Sequence, residues 1–295
     1  MNKFSIIAVS MLAIFATNGV VADEAKTPVT AKVFGEVRAF VNVTSQDNVD
    51  ASVESSSSKI GVVANADASD NISVFGELSA DVDVNSSSAL TTRFGYAGVK
   101  HDTLGAISLG KHMSIMEIFV DKGDQFFEGG NAGVQKQDFY QSNSVRYMNK
   151  IGDIEIGGLA VMTDDAQNEA IDSFQIGAGY AGIGIAYAYN NLTDIGHYGI
   201  GAERKYGPIL LAGSLSMQDA TTDVIGYEAV VGYDVTDAVT IKGGYSDTDA
   251  ANDDGVITGG TEYKFGDSGA VAFATVDYDN DSEDWTARSG ISLTF

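Results

Sequence analysis

Lys32-Val33-Phe34-Gly35-Glu36-Val37-Arg38-Ala39-Phe40-Val41-Asn42-Val43 alternates in character along its whole length. Its odd positions are apolar or glycine, while its even positions include Glu36, Arg38 and Asn42. Successive side chains of a strand point to opposite faces, so this stretch presents one apolar face and one wet face. Its length suits a tilted strand that crosses a bilayer, which needs about 9–11 residues. The same pattern returns at 57–66, 71–84, 91–100, 105–111, 140–150, 153–162, 171–180 and 182–190. It continues at 195–205, 208–217, 223–234, 238–246, 255–265, 269–278 and 285–295. About sixteen such segments predict an all-β chain, a transmembrane antiparallel β-barrel with apolar residues toward lipid and polar ones toward a wet lumen.

The connections support that reading because they alternate in length. Tight turns such as 101–104, 205–208 and 265–269 interleave with the polar loops 44–56, 163–170, 247–254 and 280–284. Short turns at one rim and longer loops at the other are the pattern of such barrels, and an even strand count brings both ends of the chain to the turn rim. Only two prolines occur against 34 glycines. Proline would remove ladder hydrogen bonds, whereas glycine inside a strand permits bends and close approach of another segment. Aromatic residues near strand ends, Phe94, Tyr147, Tyr189, Tyr233, Tyr245, Tyr263, Trp285 and Phe295 among them, are placed to form two interfacial girdles.

The first residues read as an export signal. Met1-Asn2-Lys3 forms a short positive region, and residues 4–17 are apolar but too few to span a membrane as a helix. Small residues at Val20 and Ala22 place the cut after Ala22, leaving a signal peptide at 1–22 and the barrel at 23–295. The net charge of −24 repels polyanions and argues against nucleic acid as a partner. With no cysteine and three scattered histidines, His101, His112 and His197, the sequence offers no metal cluster and calls for no cofactor.

Five pieces of sequence carry a family resemblance. Thr92-Arg93-Phe94-Gly95-Tyr96-Ala97-Gly98-Val99-Lys100, followed by Leu104-Gly105-Ala106-Ile107-Ser108-Leu109-Gly110-Lys111, resembles the general diffusion porins of Gram-negative bacteria. Phe34-Gly35-Glu36-Val37-Arg38 is similar to their first strand, Ser58-Lys59-Ile60-Gly61 to their second, and Asn143-Ser144-Val145-Arg146-Tyr147 to the strand after their third loop. Gly290-Ile291-Ser292-Leu293-Thr294-Phe295 matches the terminal signature, whose aromatic end the barrel-assembly machinery recognises; Phe295 is the expected assembly signal.

The resemblance implies a sixteen-stranded homotrimer in the outer membrane, surrounded by lipid and lipopolysaccharide, that passes ions and small hydrophilic solutes. It also implies a third loop folded inward, here the longest connection, 112–139. In that family a basic wall faces an acidic loop across the constriction, and the field between them sets charge preference. The matching basic positions are Arg38, Lys59, Arg93 and Arg146. On the loop, Asp124 and Glu128 carry the acidic spacing ahead of Gly129-Gly130, with Glu117 and Asp121 as substitutes. A short helix over 113–122 would put Glu117 and Asp121 on one face. Glu36 departs from the pattern, standing where a basic residue is common, and Glu77, Asp81, Asp83 and Glu228 also fall on lumenal parity. Together these acids favour a mild cation preference.

The same barrel hosts other roles, so a substrate-specific channel or a surface receptor or adhesin is the alternative. A sugar channel needs a lumenal aromatic track, and inward parity supplies only Phe34, Phe40 and Phe75. An enzyme is not expected. The pair His112 and Ser114 lacks a recognisable orienting group and oxyanion site. Residues 277–281 open like a calcium loop, but Ser282 and Arg288 stand where its glycine and glutamate belong.

Overall fold

A computed structural model describes residues 29–45, 50–55, 58–83, 90–129, 138–163, 171–250 and 255–295. The expected signal segment lies outside the described residues. The first half contains β1 (Thr30–Thr44), β2 (Asp50–Glu54), β3 (Lys59–Ser69), β4 (Ile72–Val82), β5 (Leu90–His101), β6 (Gly105–Met113), the helix α1 (Ile115–Phe119), β7 (Tyr140–Ile151) and β8 (Ile154–Met162). The second contains β9 (Ile171–Tyr180), β10 (Ile183–Asn190), β11 (Ile195–Tyr206), β12 (Ile209–Asp219), β13 (Val224–Asp234), β14 (Val239–Thr248), β15 (Val256–Lys264), β16 (Ala270–Asp279) and β17 (Trp285–Thr294).

All seventeen strands lie in one sheet, each antiparallel to its neighbours, and the pairing of β1 with β17 closes it. The count is one more than the sequence pattern gives because one spanning strand is broken. β2 and β3 run in the same direction along the same edge of β1, Phe40–Thr44 pairing with β2 and Thr30–Glu36 with β3. At the break, the Ser58 hydroxyl accepts from Arg38 N (2.8 Å) and donates to Arg38 O (3.0 Å), replacing the lost ladder bonds. The barrel therefore has sixteen spanning strands, and residues 50–54, read as loop from the sequence, extend the second of them.

The two faces follow strand parity. Outward positions carry exposed Val37 (55%), Ile176 (55%), Ile185 (54%) and Val231 (54%), a girth of apolar surface that water would not tolerate and lipid requires. Inward positions carry Glu36, Ser108, Gln175, Ser214, Glu228 and Ser292, all buried. Two aromatic girdles are present. Tyr147, Tyr180, Tyr206, Tyr233, Tyr263 and Phe295 mark the turn rim; Tyr187, Tyr189, Tyr198, Tyr227, Tyr245 and Trp285 mark the loop rim. Phe94 belongs to neither. The pairing of β4 with β5 shifts register there, Ser79 opposite Phe94 and Ala80 opposite Thr92, so Arg93 is the extra residue of a bulge. A bulge puts both of its residues on one side, and Arg93 and Phe94 both face the lumen.

Candidate functional site

The connection from β6 to β7 is bound to the inner wall. Ser114 caps α1, its hydroxyl accepting from Glu117 N (3.2 Å), and Ile115 N donates to the Gln175 side chain (2.6 Å). Ile115, Met116, Phe119 and Val120 are buried against the inward faces of β8 to β11 with Leu159, Ala186 and Ala188. Glycine makes the seat. A Cβ on Gly184 would stand 2.1 Å from the Phe119 carbonyl oxygen, one on Gly201 2.0 Å from that of Val120, and one on Gly177 2.5 Å from the Phe119 ring. The helix is shorter than the 113–122 expectation because the chain turns after Phe119 to follow the wall.

From there the segment runs round the interior, tethered strand by strand. The Ser214 hydroxyl of β12 accepts from Lys122 N (2.9 Å) and Gly123 N (3.0 Å) and donates to Val120 O (2.8 Å). Lys242 of β14 donates to Gln125 O and pairs with Glu262. Phe126 rests on bare Gly244 and Gly260, and Phe127 stacks on Phe273 of β16 with ring centroids 5.3 Å apart and planes 10° apart. Arg38 of β1 donates to Phe127 O (2.5 Å) and to Glu128 (2.8 Å). Gly129 then lies against Asp277 and Arg288. The loop thus lines the wall from β8 round to β1, and the inward faces of β3 to β7 form the opposite bank of the opening.

All four basic residues singled out in the sequence face the lumen, and three of them pair with acids of the wall itself. Glu36 is the centre of one cluster, accepting from Arg38 (2.6 Å), Lys59 (2.8 Å) and Ser292 (2.8 Å). Arg93 pairs with Asp81 (2.7 Å) and packs among the rings of Phe94, Phe139 and Tyr140. Arg146 lies over the Tyr96 ring, whose hydroxyl donates to Glu77 (2.8 Å). Of the loop acids, Glu128 is joined to the wall through Arg38, Glu117 lies in the first turn of α1, Asp121 is half-buried just beyond it, and Asp124 is exposed to the opening. Glu117 and Asp121 keep the four-residue spacing, but α1 ends before Asp121.

Sequence reading missed two further basic residues, Lys242 with Glu262 and Arg288 with Asp277. Strand parity alone could have found both, since Ile241 and Ile291 mark the outward faces of their strands. The other candidates have local roles. His112 is buried between the hydroxyls of Ser108 (2.9 Å) and Ser144 (2.8 Å) and stacks on Tyr96, while Ser114 is occupied in capping α1. Asp277 lies within β16 and bonds Arg288 and Thr258, and Asp279 accepts from Asp281 N and Ser282 N in a self-bonded turn. Phe40, an inward aromatic, is buried beside Phe273 beneath the loop.

The sequence model of the Gram-negative porin family matches residues 8–284. Among solved structures, OmpT of Vibrio cholerae in its trimer form superposes with a TM-score of 0.72 at 17% identity, over 90% of this chain and 99% of that one. OmpF of Salmonella typhi in complex with daunomycin gives 0.72 at 14% identity, over 90% and 97%. An anion-selective porin from Comamonas acidovorans gives 0.72 at 13% identity, over 91% and 100%. None of the curated proteins searched matches the sequence. At these identities the structural likeness speaks for the fold, whereas the family model spans nearly the whole chain. The chain belongs to the Gram-negative porin family.

Proposed function

We propose that this outer-membrane channel, which passes ions and small hydrophilic solutes by passive diffusion, has a mild preference for cations. The observation that carries the preference is the pairing of the wall. Arg38 and Lys59 share Glu36, Arg93 is matched by Asp81, Lys242 by Glu262 and Arg288 by Asp277. Of the site's six bases these five have a carboxylate beside them and Arg146 lies over the Tyr96 ring, while Glu77, Glu228 and the acids of the loop add negative charge to the lumen. The test is a planar-bilayer recording in a salt gradient. A reversal potential on the cation side supports the reading, and one at zero or on the anion side overturns it.

The channel is further proposed to work as a homotrimer. Among the described outward-facing residues of β1 and β3 to β6 there is no Phe, Tyr or Trp, only small and aliphatic side chains with His101 and Lys111 at the rims. A girdle that stops over one contiguous sector fits a surface that meets protein rather than lipid headgroups. Residues 1–22 are proposed as a cleaved export signal and Phe295 as the feature the assembly machinery reads. Lipopolysaccharide is the expected neighbour at the loop rim.

A further inference from the structure

Arg204 is an outward-facing cation on a lipid-facing wall. In β11 the inward parity belongs to His197, Gly199 and Gly201, while Tyr198, Ile200, Ala202, Arg204 and Tyr206 face out. Among the described strands it is the only outward-facing Lys or Arg in the half of the barrel nearer the turns. Its guanidinium is exposed, and among the described residues it meets only the Tyr206 ring, 5.6 Å from the centroid. Lys205 beside it turns inward and pairs with Asp234 (2.5 Å), and Glu203 takes the inward parity as well.

Next to Arg204 the outer surface is hollowed. Ala202 of β11 stands opposite Gly213 of β12, and these two small residues form the floor of a groove of about 570 Å³. Ile183, Leu211 and Leu215 rise around it, and Arg204 and Tyr206 close the end toward the turn Gly207-Pro208. The groove is therefore largely apolar, its lining including Glu203 and Ser214 of inward parity, and it ends in Arg204 at the level where the headgroups of the turn-side leaflet lie. Arginine is costly at the bilayer midplane and nearly without cost at the interface, so this position tolerates the charge.

We infer that this groove holds one glycerophospholipid of the periplasmic leaflet, an acyl chain lying over Ala202 and Gly213 and the phosphate on Arg204. Charge complementarity selects the occupant: in a chain of net charge −24, an outward cation at the headgroup level, without a carboxylate partner among the described residues, matches an anionic phosphate. Apolar walls match the chain. The inference rests on the barrel and its orientation in the membrane, independently of the selectivity proposed above.

Native mass spectrometry of the protein extracted from outer membranes in mild detergent tests it. The expected result is one phospholipid mass per chain, retained after detergent is stripped. Arg204→Gln should lower that occupancy about tenfold, as the loss of one charge-assisted contact predicts. Ala202→Leu, which fills the groove and keeps the arginine, should lower it as well, while Val276→Leu on the far wall should not. Heat-modifiable mobility establishes that each variant is folded. Absence of a bound lipid in the parent protein, equal retention in Arg204→Gln and Ala202→Leu, or an adduct of lipopolysaccharide mass would each overturn the site.

Discussion

Phe295 and Gly35 exchange both of their backbone hydrogen bonds, each 3.0 Å, at the seam where the last strand meets the first. The Phe295 ring covers the bare glycine, 2.5 Å from where a Cβ would stand, while the residue as a whole stays 58% exposed. An aromatic over a strand glycine restores packing that glycine lacks. The same residue is a clasp of the closed barrel and the proposed label on the unfolded chain.

Those roles separate experimentally. Gly35→Leu evicts the ring yet leaves the carboxy-terminal sequence intact. Its expected cost is about 1–3 kcal/mol of barrel stability, the range for an overpacked site, with insertion kinetics unchanged in pulse-labelled cells. Deleting Phe295 should delay insertion and leave processed protein sensitive to protease. Equal insertion defects in both variants would mean that the seam contact, rather than the aromatic end, is what assembly requires.

The seat of α1 predicts how the opening can be narrowed. Gly184 and Gly201 meet carbonyl oxygens of the loop, which cannot rotate away as a side chain would. Gly184→Val with Gly201→Val therefore forces either the loop or the strands to move. Overpacking costs typically about 1–3 kcal/mol per site. The loop is held to the wall by scattered side-chain hydrogen bonds from Gln175, Ser214, Lys242 and Arg38, whereas β10 and β11 are paired along their full length. The loop is the element expected to yield, moving off the wall into the opening, which lowers single-channel conductance and slows larger sugars in liposome swelling. Unchanged conductance in a folded double variant would refute the seat.

Gly184 also shows where sequence reading reached its limit. Period-2 alternation marked the β10 segment at 182–190 against an observed Ile183–Asn190, because lipid on one side and water on the other leave their pattern in every second residue. The same parity placed Arg38, Lys59 and Arg146 on the inner face. It could not reveal that Arg93 sits on a bulge, since one extra residue changes the phase without changing the composition. Nor could it find the partners of these bases. Glu36 was visible as a departure from the family pattern, but only closure of the barrel brings Ser292 beside it, 256 positions away. The path of residues 114–129 was hidden for a like reason, being fixed by glycines on strands distant in sequence.

The trimer proposal is open to single-cysteine labelling, which the chain suits because it contains no cysteine. Leu78→Cys lies in the aromatic-free sector and Ile185→Cys in the opposite wall, and both parent side chains are exposed on the single chain, 68% and 54%. With a membrane-permeant maleimide, Ile185→Cys is expected to label readily and Leu78→Cys slowly until the oligomer is dissociated. Equal labelling of the intact channel would rule out that sector as the interface.

Selectivity gives the sharpest contrast, because the paired wall predicts opposite results for neighbouring carboxylates and bases. Glu36→Gln leaves Arg38 and Lys59 without their shared partner, and Asp81→Asn does the same for Arg93. Two unit charges 4 Å apart interact by about 1 kcal/mol in bulk water and about 4 kcal/mol at an effective dielectric of 20. Releasing one base should therefore move the reversal potential toward anions, and reversing a loop acid, Asp124→Lys or Glu128→Lys, should move it the same way with twice the change in charge. Arg93→Glu should move it toward cations. All of these shifts should shrink as salt rises and the screening length falls. Asp253 and Asp254, which lie outside the described residues, supply the control: reversing them should do far less. If that pair shifts the potential as much as Glu36→Gln does, preference comes from the diffuse acidity of the whole chain and not from the balance of charges between Glu36, Arg38 and Glu128.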